Sequence, residues 1–193
     1  MPAAPQTTRQ RKEAILRQHG VCAWLVGLSG SGKSTLAHGL EAELEQRGLH
    51  CVLLDGDVLR TGLNQGLGFS EADRTENIRR AAEVARLLVH HGTVVIAAFI
   101  TPTQAMRDQV RTIVGGDHLI EVFVDAPLQV CEERDVKGLY RRARSGAVQA
   151  FTGVSAPFEP PTRPDLHLRT ADNDIHACVQ QLLAAILPRV QRN

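Results

Sequence analysis

The chain has 193 residues, with 22 basic and 21 acidic side chains, so its formal net charge is only +1. This length suits one domain with a sizeable core, and the balanced charge argues against nucleic acid or an anionic membrane as a partner bound through bulk charge. Aromatic residues make up 4% of the chain, too few for a surface that stacks single-stranded nucleic acid.

The cysteine pattern and the lack of long apolar runs predict a cytoplasmic protein that does not associate with a membrane. The four cysteines, Cys22, Cys51, Cys131 and Cys178, form no C-x-x-C pair. We therefore expect buried free thiols in a reducing compartment rather than disulfides or a zinc site. No apolar run reaches the ~18 residues that a membrane-spanning helix needs.

Residues 1–18 are predicted to form a flexible N-terminal arm. The start of this segment is rich in Pro, Ala, Gln, Thr and Arg, and it lacks the apolar segment of a signal peptide. Residues 19–193 contain no internal repeat and no linker, so we expect them to fold as a single domain.

Within this domain, short apolar runs alternate with helical patterns. Strands are predicted over 21–26, 50–54, 93–99, 119–124 and 166–169, and helices over about 34–47, 71–91, 103–114, 128–134 and 174–187. This alternation predicts an α/β fold, a three-layer sandwich in which a five-stranded, mainly parallel sheet carries helices on both faces. The composition leaves the order of the strands open.

Residues 27–35 fill every fixed position of the phosphate-loop pattern G-x-x-x-x-G-K-[ST]. Because the pattern lies between a predicted strand and a predicted helix, it predicts a site for ATP. Lys33 is expected to reach the outer phosphates, and the Ser34 hydroxyl is expected to ligate Mg²⁺. The residues predicted to bind ATP are Gly27, Ser29, Gly30, Ser31, Gly32, Lys33, Ser34 and Thr35.

Two acidic residues, Asp55 and Asp57, follow the second predicted strand, with one glycine between them. Carboxylates at the C-terminal end of a strand fall at the edge where open α/β sheets bind ligands. One acid could help to hold Mg²⁺, directly or through water, and one could orient or deprotonate an attacking hydroxyl. A simple Asp-Gly turn is the alternative. We predict Lys33, Asp55 and Asp57 as catalytic residues, and Ser34 and Asp55 as metal ligands.

The helix predicted from residue 71 begins with a cationic, hydrogen-bonding patch. Arg74 and Asn77 are three residues apart and therefore share one face, and Arg60 could join them. Such a patch suits an anionic substrate with ribose or amide groups, although the spacing also fits a solvated charged face. Further along, residues 138–164 form a long segment rich in Gly, Pro and Arg, which is typical of a functional or disordered loop.

These features occur together with several short sequence blocks. In chain order they are Trp24-Leu-Val-Gly-Leu-Ser-Gly-Ser-Gly-Lys-Ser-Thr35, Leu54-Asp-Gly-Asp57, Gly62-Leu-Asn64, Leu67-Gly-Phe69, Asp73-Arg-Thr-Glu-Asn-Ile-Arg-Arg80, Phe99-Ile-Thr-Pro102, Glu121-Val-Phe-Val-Asp125 and Lys137-Gly-Leu-Tyr140. From about Trp24 to Thr170 the sequence resembles the adenylylsulfate kinases, which have a phosphate-loop kinase fold.

The resemblance implies transfer of a phosphoryl group from Mg-ATP to the ribose 3′-hydroxyl of adenosine 5′-phosphosulfate. It implies that Phe69 and Phe151 sandwich the substrate adenine and that about 138–164 is a mobile lid. It also implies a cytoplasmic homodimer, with any ATP sulfurylase as a separate partner chain. The substrate-binding residues that it implies are Asp57, Arg60, Phe69, Arg74, Asn77, Ile100, Thr101, Lys137 and Phe151.

The chain departs from the family pattern at three positions near these residues, one of which is Val58, where asparagine is common after Asp57. Thr101 stands where the family usually has a serine that has been proposed as a phosphorylated intermediate, and Ala150 stands where a glycine often precedes the phenylalanine. We predict direct transfer, with Thr101 as a substrate-site residue, and a stiffer lid at Ala150. Two alternatives are another phosphate-loop kinase of small-molecule hydroxyl groups and a non-catalytic nucleotide-binding partner domain.

Overall fold

The five strands form one sheet in which all neighbours are parallel. The computed structural model describes residues 7–135, 138–148 and 150–191. The strands are β1 (Cys22–Val26), β2 (Cys51–Asp55), β3 (Val94–Phe99), β4 (Leu119–Asp125) and β5 (Leu166–Arg169). Their order in the sheet is β2-β3-β1-β4-β5, and every pairing is parallel. This confirms the predicted α/β sandwich and supplies the strand order that the sequence left open.

The helices lie between the strands in the chain and cover both faces of the sheet. They are α1 (Thr8–Leu16), α2 (Lys33–Gln46), α3 (Gly56–Arg60), α4 (Glu71–His90), α5 (Gln104–Val114), α6 (Leu128–Arg134), α7 (Leu139–Arg144) and α8 (Ile175–Val190). A 3₁₀ turn, Gly116–His118, precedes β4. Among the helices in the described parts of the chain, none combines the length and the apolarity that would carry it across a membrane.

The sheet separates two apolar layers, because successive side chains of a strand point to opposite faces. On one face α2 and α8 pack against the strands, and on the other face α4 and α5 do so. All five residues of β1 are buried, as expected for the central strand of a sheet that is covered on both sides. The core therefore fixes β1, and with it the position of the loop that follows.

The register of the sheet brings the strand ends to one edge. Val26, the last residue of β1, lies beside Phe99 of β3 and Phe123 of β4, and Asp55 of β2 lies beside Ala98. The phosphate loop, the acid of β2 and the turn after β3 therefore meet at the carboxyl edge of the sheet. Open α/β sheets bind their ligands at this edge.

The structure differs from the predicted flexible arm over residues 8–18. Thr7 and Gln10 form a capping box at the start of α1, and the side chain of Glu13 is buried. Gln18 donates hydrogen bonds of 2.8 Å to the carbonyl oxygens of His50 and Gly92. Helix α1 is strongly polar, so its sequence has no apolar periodicity from which the helix could be predicted. Polar contacts attach this segment to the sheet.

The segment predicted as a lid contains helix α7 and a small apolar cluster of its own. Tyr140, Ala143 and Phe151 pack with Ala126 and Cys131, which follow β4. The Tyr140 hydroxyl donates to the carbonyl oxygen of Ser29, at 2.8 Å, so this cluster rests on the phosphate loop. The mobility of the segment stays a prediction. All four cysteines are free thiols; Cys22, Cys131 and Cys178 are buried as predicted, whereas Cys51 is only partly buried.

Candidate active site

A cavity of about 720 Å³ opens at the carboxyl edge of the sheet. Gly27 and Ser31 belong to the phosphate loop but do not line this cavity, and Lys137 lies outside the described residues. The other predicted site residues all line it: Ser29, Gly30, Gly32, Lys33, Ser34, Thr35, Asp55, Asp57, Arg60, Phe69, Arg74, Asn77, Ile100, Thr101 and Phe151.

The phosphate loop has the backbone geometry of an anion cradle. Gly30 and Gly32 have φ angles of +76° and +102°, and a Cβ atom on Gly30 would lie 2.8 Å from the carbonyl oxygen of Cys131. Gly32 is the N-cap of α2 and makes no side-chain cap hydrogen bond. Ser31 Oγ is buried without a hydrogen-bond partner among the described residues. The backbone N–H donors at the N-terminus of α2 fit the phosphates of ATP.

Backbone carbonyl groups of the phosphate loop hold the side chain of Lys33. Its Nζ donates to the carbonyl oxygens of Gly27, at 2.9 Å, and Leu28, at 2.7 Å. The side chain is largely buried although it is charged. A buried ammonium beside the N-terminus of α2 makes this end of the cavity attractive to an anion.

Ser34 and the two acids form a connected group opposite Lys33. Ser34 Oγ donates to Asp55 Oδ2, and Asp55 Oδ1 accepts from the backbone N–H of Asp57, both at 2.8 Å. Asp55 is therefore the N-cap of α3, so the Asp-Gly-Asp segment starts a helix rather than a simple turn. Hydroxyl and carboxylate oxygens are the donors that Mg²⁺ prefers, so this pair fits the cation.

Arg60 and Phe69 form a pair on the neighbouring wall. The Arg60 guanidinium lies over the Phe69 ring at 4.5 Å, and its Nη1 donates to the carbonyl oxygens of Leu67 and Gly68. Burial lowers the pKa of Arg60, although Asp57 and Asp73 act in the opposite direction. Phe69 remains 58% exposed, so its ring is accessible from the cavity.

Arg74 connects α4 to the segment predicted as a lid. Its Nε donates to the carbonyl oxygen of Phe69 at 2.9 Å, and its terminal nitrogens donate to the Ala150 carbonyl and the Thr152 hydroxyl. Burial, followed by the charge of Arg60, lowers the pKa of Arg74. Arg74 therefore does not belong to a solvated charged face.

The remaining charges of α4 behave differently from Arg74. Glu76 accepts from Arg79 at 2.7 Å and from Arg80 at 2.8 Å, and these two arginines lower the pKa of Glu76 to about 2. The alternative of a solvated charged face is therefore correct for the side of α4 that carries Glu76, Arg79 and Arg80. Asn77 lies on the other side, where it is buried and accepts from Asn64 Nδ2 at 2.9 Å.

Phe151 lines the cavity as part of the small apolar cluster in the segment predicted as a lid. It is 8% exposed and packs edge-on against Tyr140, with ring centroids 5.0 Å apart. The preceding residue, Ala150, has a φ of +52°, a region that favours glycine. Phe69 and Phe151 thus both line the cavity, and the adenine sandwich between them stays a prediction.

The sequence analysis missed a group that lines the cavity on the β4 and β5 side of the phosphate loop. Arg134 donates to the carbonyl oxygens of Gly30, at 3.3 Å, and Thr170, at 2.8 Å. The same edge rule that selected Asp55 could have found this group, because its members follow β4 and β5. The group comprises Arg134, Thr170, Asn173, Ile175 and Cys178.

Comparisons with known proteins agree with this geometry. The family model described as Adenylylsulphate kinase matches residues 19–169. The adenylyl-sulfate kinase of Bacteroides fragilis is 55% identical over 186 residues, which covers 96% of this chain and 92% of the relative.

Two solved structures are also similar. That of Mycobacterium tuberculosis APS kinase CysC in complex with AMPPNP and APS has a TM-score of 0.84 and 44% identity, covering 87% of this chain and 98% of that one. That of the hexameric APS kinase from Thiobacillus denitrificans has a TM-score of 0.69 and 29% identity, covering 95% of this chain and 32% of that one.

The parallel sheet, the phosphate loop after its central strand and the acids after β2 define a phosphate-loop kinase. The comparisons narrow this class to one family. The chain belongs to the adenylylsulfate kinase family.

Proposed function

We propose that the protein transfers the γ-phosphoryl group of ATP to the 3′-hydroxyl of adenosine 5′-phosphosulfate, which gives ADP and 3′-phosphoadenosine 5′-phosphosulfate. One observation carries the proposal. A single cavity is lined by residues of the phosphate loop, by the Ser34–Asp55 pair and by the two arginines Arg60 and Arg74. Donor and acceptor can therefore lie side by side, as direct transfer requires.

The donor side would bind ATP through the phosphate loop. Its backbone N–H groups and Lys33 would hold the phosphates, and Ser34 and Asp55 would hold Mg²⁺, directly or through water. The bound cation would neutralise charge on the transferring group. Asp57, in the first turn of α3 and two residues after Asp55, would orient the attacking hydroxyl, and a strong base is not needed if the transition state is loose.

The acceptor side offers groups for each part of the substrate. Arg60 and Arg74 would bind the phosphosulfate and Asn77 the ribose, since guanidinium groups suit oxyanions and an amide suits hydroxyls. The rings of Phe69 and Phe151 would hold the adenine. Ile100, Thr101 and Lys137 complete the substrate-binding set that we propose.

We propose direct transfer, without a phosphorylated enzyme. The Thr101 hydroxyl oxygen already accepts a hydrogen bond from Trp24. This bond occupies one lone pair of the oxygen, and no side chain in the described parts of the chain is hydrogen-bonded to Thr101 as a general base, so the hydroxyl is a poor nucleophile for an incoming phosphoryl group. Incorporation of label from γ-labelled ATP into Thr101, at a rate that matches turnover, would contradict direct transfer.

We also propose a homodimer in the cytoplasm, with ATP sulfurylase as a separate chain. Membership of the family supports this proposal. Light scattering at working concentration tests the dimer, and a monomer or a hexamer would contradict it.

The function is tested by ADP release from Mg-ATP with micromolar adenosine 5′-phosphosulfate. We expect release that depends on this substrate and is lost in Lys33→Ala and Asp55→Ala. Lys12→Ala, an exposed lysine of α1, serves as the matched control and should keep full activity. ADP release stimulated only by other hydroxyl acceptors would overturn the proposal in favour of a different small-molecule kinase.

A further inference from the structure

Thr101 has a backbone conformation that its sequence context strongly disfavours. Its φ is +43°, the side chain is β-branched, and the next residue is Pro102, which pushes a preceding residue towards extended geometry. A residue keeps such a conformation only where its surroundings hold it there, and such sites cluster where function needs a particular geometry. Thr101 lines the cavity directly after β3.

The side chain of Thr101 is held by Trp24. The indole Nε1 donates to Thr101 Oγ1 at 2.9 Å, and both residues are 1% exposed. Trp24 is itself fixed, because its ring stacks on Phe99 with centroids 4.9 Å apart. Since an indole N–H can only donate, the Thr101 oxygen is the acceptor, and its own hydrogen remains for a ligand acceptor.

The backbone of Thr101 is held by Arg107. Arg107 Nη1 donates to the Thr101 carbonyl at 3.2 Å, and Nη2 donates to Gln104 Oε1 at 3.0 Å. This guanidinium is 2% exposed, and its nearest carboxylate, Glu121, lies 3.9 Å from Nε. A buried charge whose counter-ion lies at this distance contributes little to the stability of the fold. The main effect of Arg107 is therefore to fix the turn at residues 101–104 through its hydrogen bonds.

The same turn holds the end of the lid segment. The Glu159 backbone N–H donates to the Pro102 carbonyl at 2.8 Å, and Glu159 Oε2 accepts from the Gln104 backbone N–H at 2.7 Å. The turn at residues 101–104 thus joins the core, the cavity wall and the lid segment. A change in the shape of this turn would alter the part of the cavity that Thr101 and Pro102 line. The phosphate loop follows β1 rather than β3, so we expect it to be less affected.

We infer that Trp24 and Arg107 are positioning residues for the acceptor substrate. Trp24 holds the hydroxyl of Thr101 and Arg107 holds its carbonyl, so that Thr101 presents its remaining hydroxyl hydrogen to adenosine 5′-phosphosulfate. Neither residue touches the reacting atoms; each acts through Thr101. The inference rests on the proposed function, and it predicts a selective effect on the acceptor.

Steady-state kinetics of a set of variants tests this inference. Trp24→Phe keeps a ring on Phe99 and removes the donor, and Thr101→Val keeps the shape and removes the acceptor. Each should raise KM for adenosine 5′-phosphosulfate about five- to tenfold, the worth of one hydrogen bond, and leave KM for ATP within twofold. The double variant should be no worse than Thr101→Val alone, because Thr101→Val already removes the bond from Trp24 together with the hydroxyl hydrogen.

Three further variants separate positioning from a general loss of stability. Thr101→Ser restores the hydroxyl and should reverse most of the rise in KM for adenosine 5′-phosphosulfate that Thr101→Val causes. Arg107→Lys keeps the charge but loses the fork, and should raise KM for adenosine 5′-phosphosulfate at least tenfold. Cys22→Ala removes a buried side chain of β1 in the apolar layer that contains Trp24, and should lower Tm without a selective KM effect.

The single tryptophan gives a second readout. Thr101→Val should shift the emission maximum of Trp24, and Thr101→Ser should not. Equal rises in KM for both substrates, multiplicative effects in the double variant, or a lower Tm with unchanged KM values would each overturn the inference while the proposed function stands. Wild-type enzyme that turns over without adenosine 5′-phosphosulfate dependence would instead overturn the proposed function, and this inference with it.

Discussion

Ser34 and Asp55 are 21 residues apart in the chain, yet Ser34 Oγ donates a 2.8 Å hydrogen bond to Asp55 Oδ2. This bond joins the first turn of α2 to the end of β2, and both lie at the carboxyl edge of the sheet. The pair therefore occupies the position where the phosphate loop and the acids converge. Its chemistry suits a hydrated Mg²⁺ ion.

Asp55→Asn is expected to weaken the dependence on Mg²⁺ specifically. The amide keeps the shape but removes the negative charge, so the apparent affinity for Mg²⁺ at fixed ATP should fall at least about tenfold, with a larger loss of kcat. Titration of Mg²⁺ in the ADP-release assay measures this effect. Asp117→Asn, at the opposite edge of the sheet, is the matched control. An unchanged Mg²⁺ titration in Asp55→Asn would exclude Asp55 from the metal site.

Arg74→Lys is expected to weaken both acceptor binding and the lid contact. A lysine cannot bridge the Ala150 carbonyl and the Thr152 hydroxyl as the arginine fork does. KM for adenosine 5′-phosphosulfate should rise at least about tenfold, and proteolysis within 138–164 should become faster.

The control for Arg74 lies on the same helix. Arg79→Lys changes an arginine that pairs with Glu76 on the other side of α4, and it should leave both measurements near the wild-type values. If Arg79→Lys had the larger effect on KM for adenosine 5′-phosphosulfate, the assignment of Arg74 as a substrate-binding residue would be wrong.

Glu13 should stabilise the protein in a pH-dependent manner. Burial alone raises the pKa of Glu13, but hydrogen bonds from Arg9, His19 and the Gly20 backbone outweigh burial and leave it lowered. A carboxyl whose pKa is lower in the folded state contributes its full stabilisation above its unfolded pKa of about 4.3. That contribution is lost as the pH falls through the lower folded value.

Urea unfolding of Glu13→Gln tests this expectation. At pH 7 we expect a loss of about 1–3 kcal/mol, because buried donors lose a charged acceptor. The difference from wild type should narrow as the pH falls below about 4. Glu45→Gln, an exposed position in α2, should match wild type throughout. A difference that grows at low pH would contradict the sign argued for Glu13.

The cysteines should react slowly with thiol reagents in the native protein. Burial, followed by the charges of Glu41 and Glu45, raises the pKa of Cys51 to about 11, and burial also raises the pKa of Cys22, Cys131 and Cys178. At pH 7 about one Cys51 side chain in 10⁴ is a thiolate, which is the reactive form. Alkylation of Cys51 should therefore rise about tenfold per pH unit up to pH 9.

Protein unfolded in urea is the control for this labelling, and all four cysteines should then react at the rate of a free thiol. Rapid labelling of Cys22 in the native protein at pH 7 would show that the core around β1 opens far more readily than its burial implies.

The sequence predicted the sheet because its strands are apolar runs with clear boundaries. The predicted strand at 166–169 coincides with β5, and the other four agree with the structure within one residue at each end. The phosphate loop and Asp55 were predictable for a related reason: each follows a buried strand, and parallel strands end at one edge. Strand order depends on which helices cross which face, and composition does not record it.

Two of the helices that were not predicted, α1 and α7, depend on contacts distant in the sequence. Helix α1 depends on the buried Glu13 and on Gln18 reaching His50 and Gly92, and α7 depends on Tyr140 reaching Ser29. In the sequence, Arg134 is an ordinary arginine at the end of a predicted helix. Only the fold brings it to the carbonyl groups of Gly30 and Thr170. Such pairings require the folded arrangement of the chain.

The cavity is divided along the strand order of the sheet. Asp57, Arg60, Arg74 and Thr101 follow β2 and β3 on one side of β1, whereas the group containing Arg134 follows β4 and β5 on the other. Donor and acceptor residues nevertheless share both halves, because Asp55 of the proposed Mg²⁺ pair ends β2 and Phe151 follows β4. A scaffold redesigned for a different alcohol would therefore have to keep Asp55 and change the segment around Phe151 together with the loops after β2 and β3.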